Sequence, residues 1–450
     1  MFRPTGFADL AGKRVGIFGV GVEGRASAAR LAGVAGSLVL VDDADDRGPD
    51  VLVSDRGGHE VLLECDAVLK SPGIARRRAD VVDLESHGVI VTSALNLWLH
   101  DVDRGRVVAI TGTKGKSTTT ALVTFFLRCL GEDAQSLGNI GRPPYDPSID
   151  TSSGWLVLEV SSFQCLDIEV APALVVVTSL GADHLDWHGS LDQYVDDKLS
   201  LTRAAGNHRT LVPDSSTFHN VLIQLGGEVS FVDPASHGLA SRLGLLGAHS
   251  ESNVALALAV SAILVDRDVE EIRAIVEDTA SSFVPLKGRL TLVASETRDG
   301  NVVRYVDDGL ATAPLPTIAA LDVFRHVPVV LLAGGYDRGV DYSSLAQELA
   351  NRTPQTHLIT MGDAGTRLGA SVRDRAPTLS QSHVDSMDDA VGQARDLLKD
   401  GGVVLLSPAA PSFDRYRNWE ERSDDFTRVV RAVTSAQATT PWSLGGDSNS

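Results

Sequence analysis

Cysteine, aromatic residues and positive charge are scarce in this sequence, and each shortage excludes something. The three cysteines, Cys65, Cys129 and Cys165, are odd in number, far apart and set among apolar residues. They imply no disulfide framework and read as small core residues in a reducing compartment. Basic residues number 40 against 59 acidic ones, a formal net charge of −19. That sign argues against a nucleic-acid partner unless basic residues gather on one face, and no such cluster is visible. The one basic run of three, Arg76-Arg77-Arg78, is expected to be the solvated start of a helix. No apolar stretch reaches the roughly 18 residues that a bilayer span needs, and Met-Phe-Arg-Pro-Thr-Gly at the start has no apolar signal core. A cytoplasmic protein with no membrane insertion is expected.

What is present is a long chain with ample apolar content. At 450 residues and 43% hydrophobic it is too long for one core and should form two to four domains. Lys13 to Phe18 is a short apolar strand that runs into Gly19-Val20-Gly21-Val22-Glu23-Gly24, after which Ala26 to Leu31 has helical spacing. Leu38 to Val41 then ends at Asp42-Asp43, completing a strand, glycine turn, helix and acid-tipped strand of the dinucleotide-binding kind. Strands at Ala67 to Leu69 and Val89 to Val91 continue the alternation to Asp101-Val102-Asp103-Arg104-Gly105, which reads as a linker. A second alternating run takes in Trp155 to Val160 and Leu174 to Val177 and closes with helical material from Asn253 to Val276. A third begins near Arg289, with strands at Val302 to Val306, Val327 to Leu332, His357 to Thr360 and Val403 to Leu406. Strands alternating with helices throughout imply an α/β protein of parallel, doubly wound sheets. The expected domains are 1–104, 105–288 and 289–436, with 437–450 a polar, aperiodic tail.

The most chemical segment is Arg106 to Thr118, where an apolar strand breaks into Thr111-Gly112-Thr113-Lys114-Gly115-Lys116-Ser117. Small residues let backbone N–H groups face phosphates, Lys116 supplies a point charge and the Ser117 hydroxyl is a magnesium ligand, so the loop implies ATP. The general motif has a glycine five residues before the closing Gly-Lys. Here Ile110 stands at that position, so the loop is short. Glu159 ends the strand Trp155 to Leu158, where a carboxylate at the carboxyl edge of a sheet is a candidate magnesium ligand. Asp183-His184-Leu185-Asp186-Trp187-His188-Gly189 follows the next strand, and Lys198 comes ten residues after His188. Zinc is disfavoured there, because no cysteine pair or HExxH spacing accompanies the cluster and hard oxygen donors beside a phosphate loop suit magnesium. Ser250, in Gly247-Ala248-His249-Ser250, has the setting of a helix N-cap. Farther on, Arg289 offers a cation for phosphate, and the strand ending Val306-Asp307-Asp308 offers an acid for ribose. Two more segments, Gly334 to Gly339 and Ser407 to Asp414, follow strands where a parallel sheet binds ligands.

Taken in order, the short loop, the segment Glu159-Val160-Ser161-Ser162-Phe163-Gln164, and Asp183-His184 with His188-Gly189 and Lys198 resemble the Mur ligases of peptidoglycan synthesis, most closely their glutamate-adding branch. The resemblance runs from the Gly19 turn to Glu420-Glu421-Arg422. It implies a Rossmann-like N-terminal domain for the UDP-substrate, a P-loop ATPase-like central domain and a Rossmann-like C-terminal domain. It also implies that ATP activates UDP-N-acetylmuramoyl-L-alanine as an acyl phosphate, which the amine of glutamate attacks. Carried over residue by residue, Lys116, Glu159, His184 and Lys198 are the catalytic set. ATP falls to Gly112, Thr113, Lys114, Gly115, Lys116, Ser117, Thr118, Asn253, Arg289 and Asp308. The UDP part falls to Val22, Glu23, Asp42, Ser71, Asn139, Ser161 and Gln164, and glutamate to Thr312, Arg338, Ser412 and Trp419. Two magnesium ions are implied, one held by Ser117 and Glu159, the other by Glu159, His184 and Lys198. The lysine serves as a ligand only if carbamylated, since an ammonium has no lone pair to offer. A monomer is expected, with domain closure bringing Arg289 and Asp308 onto the ATP.

Departures from the family pattern gather at the amino-acid pocket. The usual Asp-Ser-Lys-Ala-Thr-Asn reads Asp308-Gly309-Leu310-Ala311-Thr312-Ala313, Arg338 stands for a lysine and Trp419 for a phenylalanine. Lys114 replaces an asparagine in the loop and Ser250 replaces another. The altered pocket favours the branch that adds L-glutamate over the one that adds D-glutamate. The alternatives are an NAD-dependent oxidoreductase or NAD-sensing regulator, which leaves the phosphate loop without a role, and a folylpolyglutamate synthase, which normally lacks a domain before that loop. A non-catalytic ATP-binding module is disfavoured by the retention of Lys116, Glu159, His184 and Lys198.

Overall fold

A computed structural model describes residues 3–181, 188, 190–353 and 356–434. The apolar runs form three sheets. The first contains β1 (Arg14–Phe18), β2 (Ser37–Asp42), β3 (Val51–Val53), β4 (Ala67–Lys70) and β5 (Ile90–Thr92), all parallel in the order β3-β2-β1-β4-β5. The order reverses between β1 and β4, which opens a crevice at their carboxyl ends. Gly24, in the helix Val22–Leu31, shows why the turn there is built from glycine: a Cβ on it would lie 2.0 Å from the Gly19 carbonyl oxygen.

The second sheet is also wholly parallel. Its strands are β6 (Val107–Thr111), β7 (Ala134–Gly138), β8 (Trp155–Glu159), β9 (Leu174–Val177), β10 (Arg209–Pro213) and β11 (Glu228–Val232), in the order β11-β10-β9-β6-β8-β7. With β6 between β8 and β9, Ile110 pairs with Glu159 and Thr111 with Val177. Three strand ends therefore meet at one edge.

The third sheet corrects the expectation of parallel strands throughout. It contains β12 (Thr291–Arg298), β13 (Asn301–Asp307), β14 (Val329–Gly334), β15 (Thr356–Met361), β16 (Ser380–His383) and β17 (Gly402–Leu406), ordered β12-β13-β17-β14-β15-β16. The edge strand β12 runs antiparallel to β13. The cause is the two-residue turn Asp299-Gly300, whose φ values of 49° and 83° suit a tight hairpin and leave no room for a crossover.

The chain divides into two compact units, one running to Ser236 and including Glu251–Asp278, the other comprising His237–Ser250 and the chain from Thr279 on. In the first unit a single apolar cluster runs from Val15, Ile17 and Leu31 through Leu97 and Trp98 to Leu137, Leu156 and Leu158, so the first two sheets share one core. In the second unit two clusters cover the two faces of the third sheet.

Several local expectations change. The supposed linker is packed: Asp101 ends the helix Ala94–Asp101 and accepts the Phe7 amide, and Asp103 accepts the Gly105 amide. The 18-residue helix Ala248–Val265 is apolar enough on average to cross a membrane by length and composition, although its first turns carry His249, Ser250, Glu251, Ser252 and Asn253. Its Val254, Leu256 and Val260 have 0% exposure, which makes it a core helix of a globular layer. Ser250 lies inside that helix and donates back to the Leu246 carbonyl, so it is not an N-cap.

The arginine run is the largest correction. Arg76 donates to Asp167 and Glu85, Arg77 grips Asp197 with both terminal nitrogens, and Arg78 pairs with Asp43 and Asp80. Two of the three thus leave the first sheet's layer and reach the second. Composition favoured solvation, but the order of the strands set buried carboxylates opposite them.

Candidate functional site

The phosphate loop sits at the end of β6, and its backbone is held from three directions. The Thr113 amide donates to the Ser179 carbonyl and the Lys114 amide to the Ser179 hydroxyl. Thr178 donates to the carbonyls of Thr111 and Lys114, and the Tyr194 hydroxyl reaches the Thr113 hydroxyl at 3.0 Å. Gly115 has φ +88°, and a Cβ there would lie 2.4 Å from Asn253 Oδ1. This places the Asn253 amide directly over the loop. The 14-residue helix Lys116–Cys129 begins immediately, and its first amides cannot be paired within it. That is the geometry of an anion site at a helix N-terminus. Lys116 Nζ donates to the carbonyls of Gly112 at 2.9 Å and Thr113 at 3.1 Å, which keeps its charge over the loop.

Glu159 lies beside the loop at 3% exposure. Asn139 Nδ2 donates to its Oε1 at 3.0 Å, while its Oε2 is buried with no hydrogen-bond partner among the described residues. A bare carboxylate oxygen in that setting is costly unless something positive meets it. That oxygen and the buried Ser117 hydroxyl are both hard oxygen donors of the kind magnesium takes. Asn139, expected against the sugar diphosphate, also holds Glu159 here.

Lys198, on the helix Leu191–Leu199, is 1% exposed. Its Nζ donates to the Gly112 carbonyl at 2.9 Å and lies 4.8 Å from the centre of the Tyr194 ring. The structure therefore brings Lys116, Glu159, Lys198 and Asn253 to one loop. Asp183, His184, Leu185, Asp186, Trp187 and Gly189 lie outside the described residues, as does the 437–450 tail. His188 is described and fully buried. Its Nδ1 is 2.7 Å from Asp197 Oδ2, its Nε2 is 3.1 Å from Ser162 Oγ, and its ring stacks on Phe163. Burial alone would raise the Asp197 carboxyl, but donation from Arg77, His188 and Gln193 outweighs it and holds the group below the usual carboxylate range.

Sequence reasoning did not single out Arg77, Tyr194, Thr178 or Asp197. Their traces were a basic run expected to be solvated, a Thr-Ser pair after an apolar strand and an acid next to Lys198.

The expected UDP-binding residues divide. Val22 is 64% exposed beside the glycine turn, and Ser71 donates to the Gly19 carbonyl. Asp42 accepts the amides of Val20 and Ala44, tying β2 to that turn. Glu23 points the other way: its oxygens accept Tyr145 Oη and Gln164 Nε2, each at 2.7 Å, and burial pushes its carboxyl up despite those two donors. Gln164 Oε1 accepts the Ser161 amide in a capping box at the helix Ser162–Cys165. Glu23, Ser161 and Gln164 thus join the first two layers.

In the second unit the loops after β13, β14 and β17 are stitched by one buried guanidinium. Arg422 donates to the carbonyls of Gly334, Gly309 and Ala410, and burial lowers its pKa to about 10. This arginine was noted only as the end of a motif. Arg338 donates to the Thr312 carbonyl at 3.2 Å, Ser412 is buried, and Trp419 packs over Gly288. Arg289 is exposed.

Asp308 accepts the Ser407 hydroxyl at 2.7 Å, and its pKa is pushed up to about 7, first by burial and then by the neighbouring Asp307. In the unfolded chain the same group titrates near 4. The folded state therefore binds this proton more tightly, so its stabilising contribution is complete below about pH 4 and is lost as the pH rises through about 7. The loss is at most roughly 4 kcal/mol. Asp308→Asn should shrink the fall in melting temperature between pH 5 and pH 8, as followed by thermal unfolding. An unchanged fall would show that the burial of this carboxyl does not matter.

A family model described as the Mur ligase middle domain matches residues 110–222. The UDP-N-acetylmuramoyl-L-alanine–L-glutamate ligase of a Micromonospora species is 36% identical, with 94% of this chain and 98% of that protein covered. The ligase of the same name from Salinispora tropica is 34% identical at the same coverage. Among solved structures, the UDP-N-acetylmuramate-alanine ligase MurC of Thermotoga maritima shares the fold at a TM-score of 0.51 and 14% identity, over 94% of this chain and 100% of that one.

Proposed function

The chain belongs to the Mur ligase family, and from that premise we propose that it joins L-glutamate to UDP-N-acetylmuramoyl-L-alanine in cytoplasmic peptidoglycan precursor synthesis, converting ATP to ADP and phosphate. The observation that carries the reading is the convergence on one loop of Lys116, Lys198 and a buried Glu159 oxygen with no hydrogen-bond partner among the described residues.

A carboxylate is a poor electrophile. Transfer of the terminal phosphoryl group of ATP to the alanine carboxylate releases ADP and creates a leaving group; the amine of glutamate then attacks the carbonyl carbon, and phosphate departs as the amide forms. No enzyme nucleophile is needed, so the residues contribute position and charge. Gly112, Thr113, Lys114, Gly115, Lys116, Ser117 and Thr118 hold the triphosphate, with Asn253, Arg289 and Asp308 on the rest of the nucleotide. Magnesium, when bound, neutralises phosphate charge; Ser117 and Glu159 would hold one ion, and Glu159, His184 and a carbamylated Lys198 a second. Val22, Asp42, Ser71 and Asn139 face the UDP part, and Glu23 acts behind Gln164 and Ser161. The three sheets correspond to working domains at 1–104, 105–288 and 289–436.

The choice of L-glutamate rests on the names of the relatives and on a pocket that has Leu310 and Ala313 in place of polar residues. Arg338 adds a guanidinium fork already engaged with the Thr312 carbonyl, whereas a lysine offers only a point charge. The test is phosphate release by purified protein with ATP, magnesium and UDP-N-acetylmuramoyl-L-alanine, each glutamate enantiomer being offered separately. L-Glutamate should be favoured in kcat/KM by about 100-fold or more, the scale of discrimination that lost polar contacts produce. Turnover with D-glutamate alone would refute the assignment.

A further inference from the structure

The family reading assigns work to Lys198 but none to the residue before it. Asp197 has 0% side-chain exposure and is saturated: Arg77 donates to its two oxygens at 2.9 and 2.7 Å, Gln193 Nε2 donates at 2.7 Å, and His188 Nδ1 lies at 2.7 Å. His188 continues the chain to Ser162 Oγ at 3.1 Å. Aspartate, histidine and serine in this order resemble a hydrolytic triad. However, Ser162 is 4% exposed and the other two side chains are fully buried, so no acyl group can reach the hydroxyl. The array positions something instead.

Consecutive residues on a helix point about 100° apart. On the helix Leu191–Leu199, Asp197 therefore faces Arg77 and His188 while Lys198 faces the phosphate loop, where it donates to the Gly112 carbonyl. Two clamps on one turn fix the rotation of the helix. One of them is Arg77, which comes from the other layer of the first unit, on the segment that leaves β4 and also carries Ser71. Its side chain is half exposed, and it supplies the fork that a buried carboxylate needs.

Resting on the ligase reading, we propose that Arg77 is a positioning residue for ligation: through Asp197 it sets the helix that aims Lys198 at the phosphate loop, and so couples the layer that receives the UDP-substrate to the site of phosphoryl transfer. Arg77 touches neither substrate nor the reacting atoms. Its removal should therefore lower turnover without loosening the substrates.

The experiment compares wild type, Arg77→Met, Arg77→Lys, Asp197→Asn and the Arg77→Met/Asp197→Asn double variant. Two readouts are taken: steady-state ligation, and hydrogen exchange of the 190–199 segment by mass spectrometry. Arg77→Met should lower kcat roughly 10- to 100-fold with KM for ATP and UDP-substrate within about threefold, on the scale of a misplaced catalytic group. Arg77→Lys should recover part of that loss, and the double variant should be no worse than Asp197→Asn. Exchange in 190–199 should rise in Arg77→Met and not across the rest of the first unit. Unchanged exchange overturns the proposal whatever the activity, as does unchanged kcat in an active enzyme or a double variant in which the two losses multiply. Inactive wild type with exchange that responds to Arg77 would count against the ligase reading alone.

Discussion

Lys116→Ala should lower ligation by about three orders of magnitude and leave the protein folded. Charge that develops on the transferred phosphoryl group is stabilised where a preorganised cation awaits it, and removing one such group in a water-poor site typically costs about 10²–10³ in turnover. Lys116 is already aimed at the loop by two carbonyls, Gly112 and Thr113, so the charge needs no reorganisation. Those carbonyls belong to a loop that Ser179, Thr178 and Tyr194 hold independently, so alanine leaves the backbone supported. Phosphate release measures the first effect and circular dichroism the second. Activity within tenfold of wild type would mean that the loop binds nucleotide without serving catalysis.

Lys70→Met should cost about 3–5 kcal/mol of the stability of the first unit, the usual consequence of leaving one member of a buried ion pair alone. Lys70, at the end of β4, pairs with Asp167, and the two side chains are 0% and 1% exposed. Arg76 reaches the other Asp167 oxygen at 3.3 Å, so part of the charge stays compensated and the lower half of the range is expected. Asp167→Leu alone leaves a buried ammonium and should cost as much. The double variant Lys70→Met/Asp167→Leu should regain most of the loss, because two apolar side chains fill the space without an unpaired charge. Urea unfolding of each variant, read at the first transition because a chain of this size need not unfold in one step, gives the comparison. Single variants within 1 kcal/mol of wild type would show that water reaches the pair.

Legibility in the sequence followed distance along the chain. Gly112 to Ser117 could be read because its parts are contiguous: the strand, the glycines, the lysine and the helix start each leave a mark within a few residues of one another. Glu159 and Lys198 could be read because each sits at a recognisable strand end or motif spacing. Asp197 and Arg77, 120 residues apart, left no such mark, and neither did Lys70 and Asp167, 97 residues apart. The β12 hairpin was missed for a different reason. Its turn is only Asp299-Gly300, and the strand before it mixes Ser295, Glu296 and Thr297 into an apolar pattern.

By itself the sequence determined the α/β alternation, the phosphate loop and the chemistry that loop can perform, since these depend on periodicity and on neighbours in the chain. Only the tertiary structure decided which carboxylates would meet Arg76 and Arg77, which way Glu23 would face, and how Lys198 would be aimed. Those outcomes depend on strand order, which sets distant segments side by side, and on burial, which makes an unpaired charge too costly to leave without a partner. Composition counted three arginines in a row and expected water around them; packing turned two of them into ties between the first and second sheets.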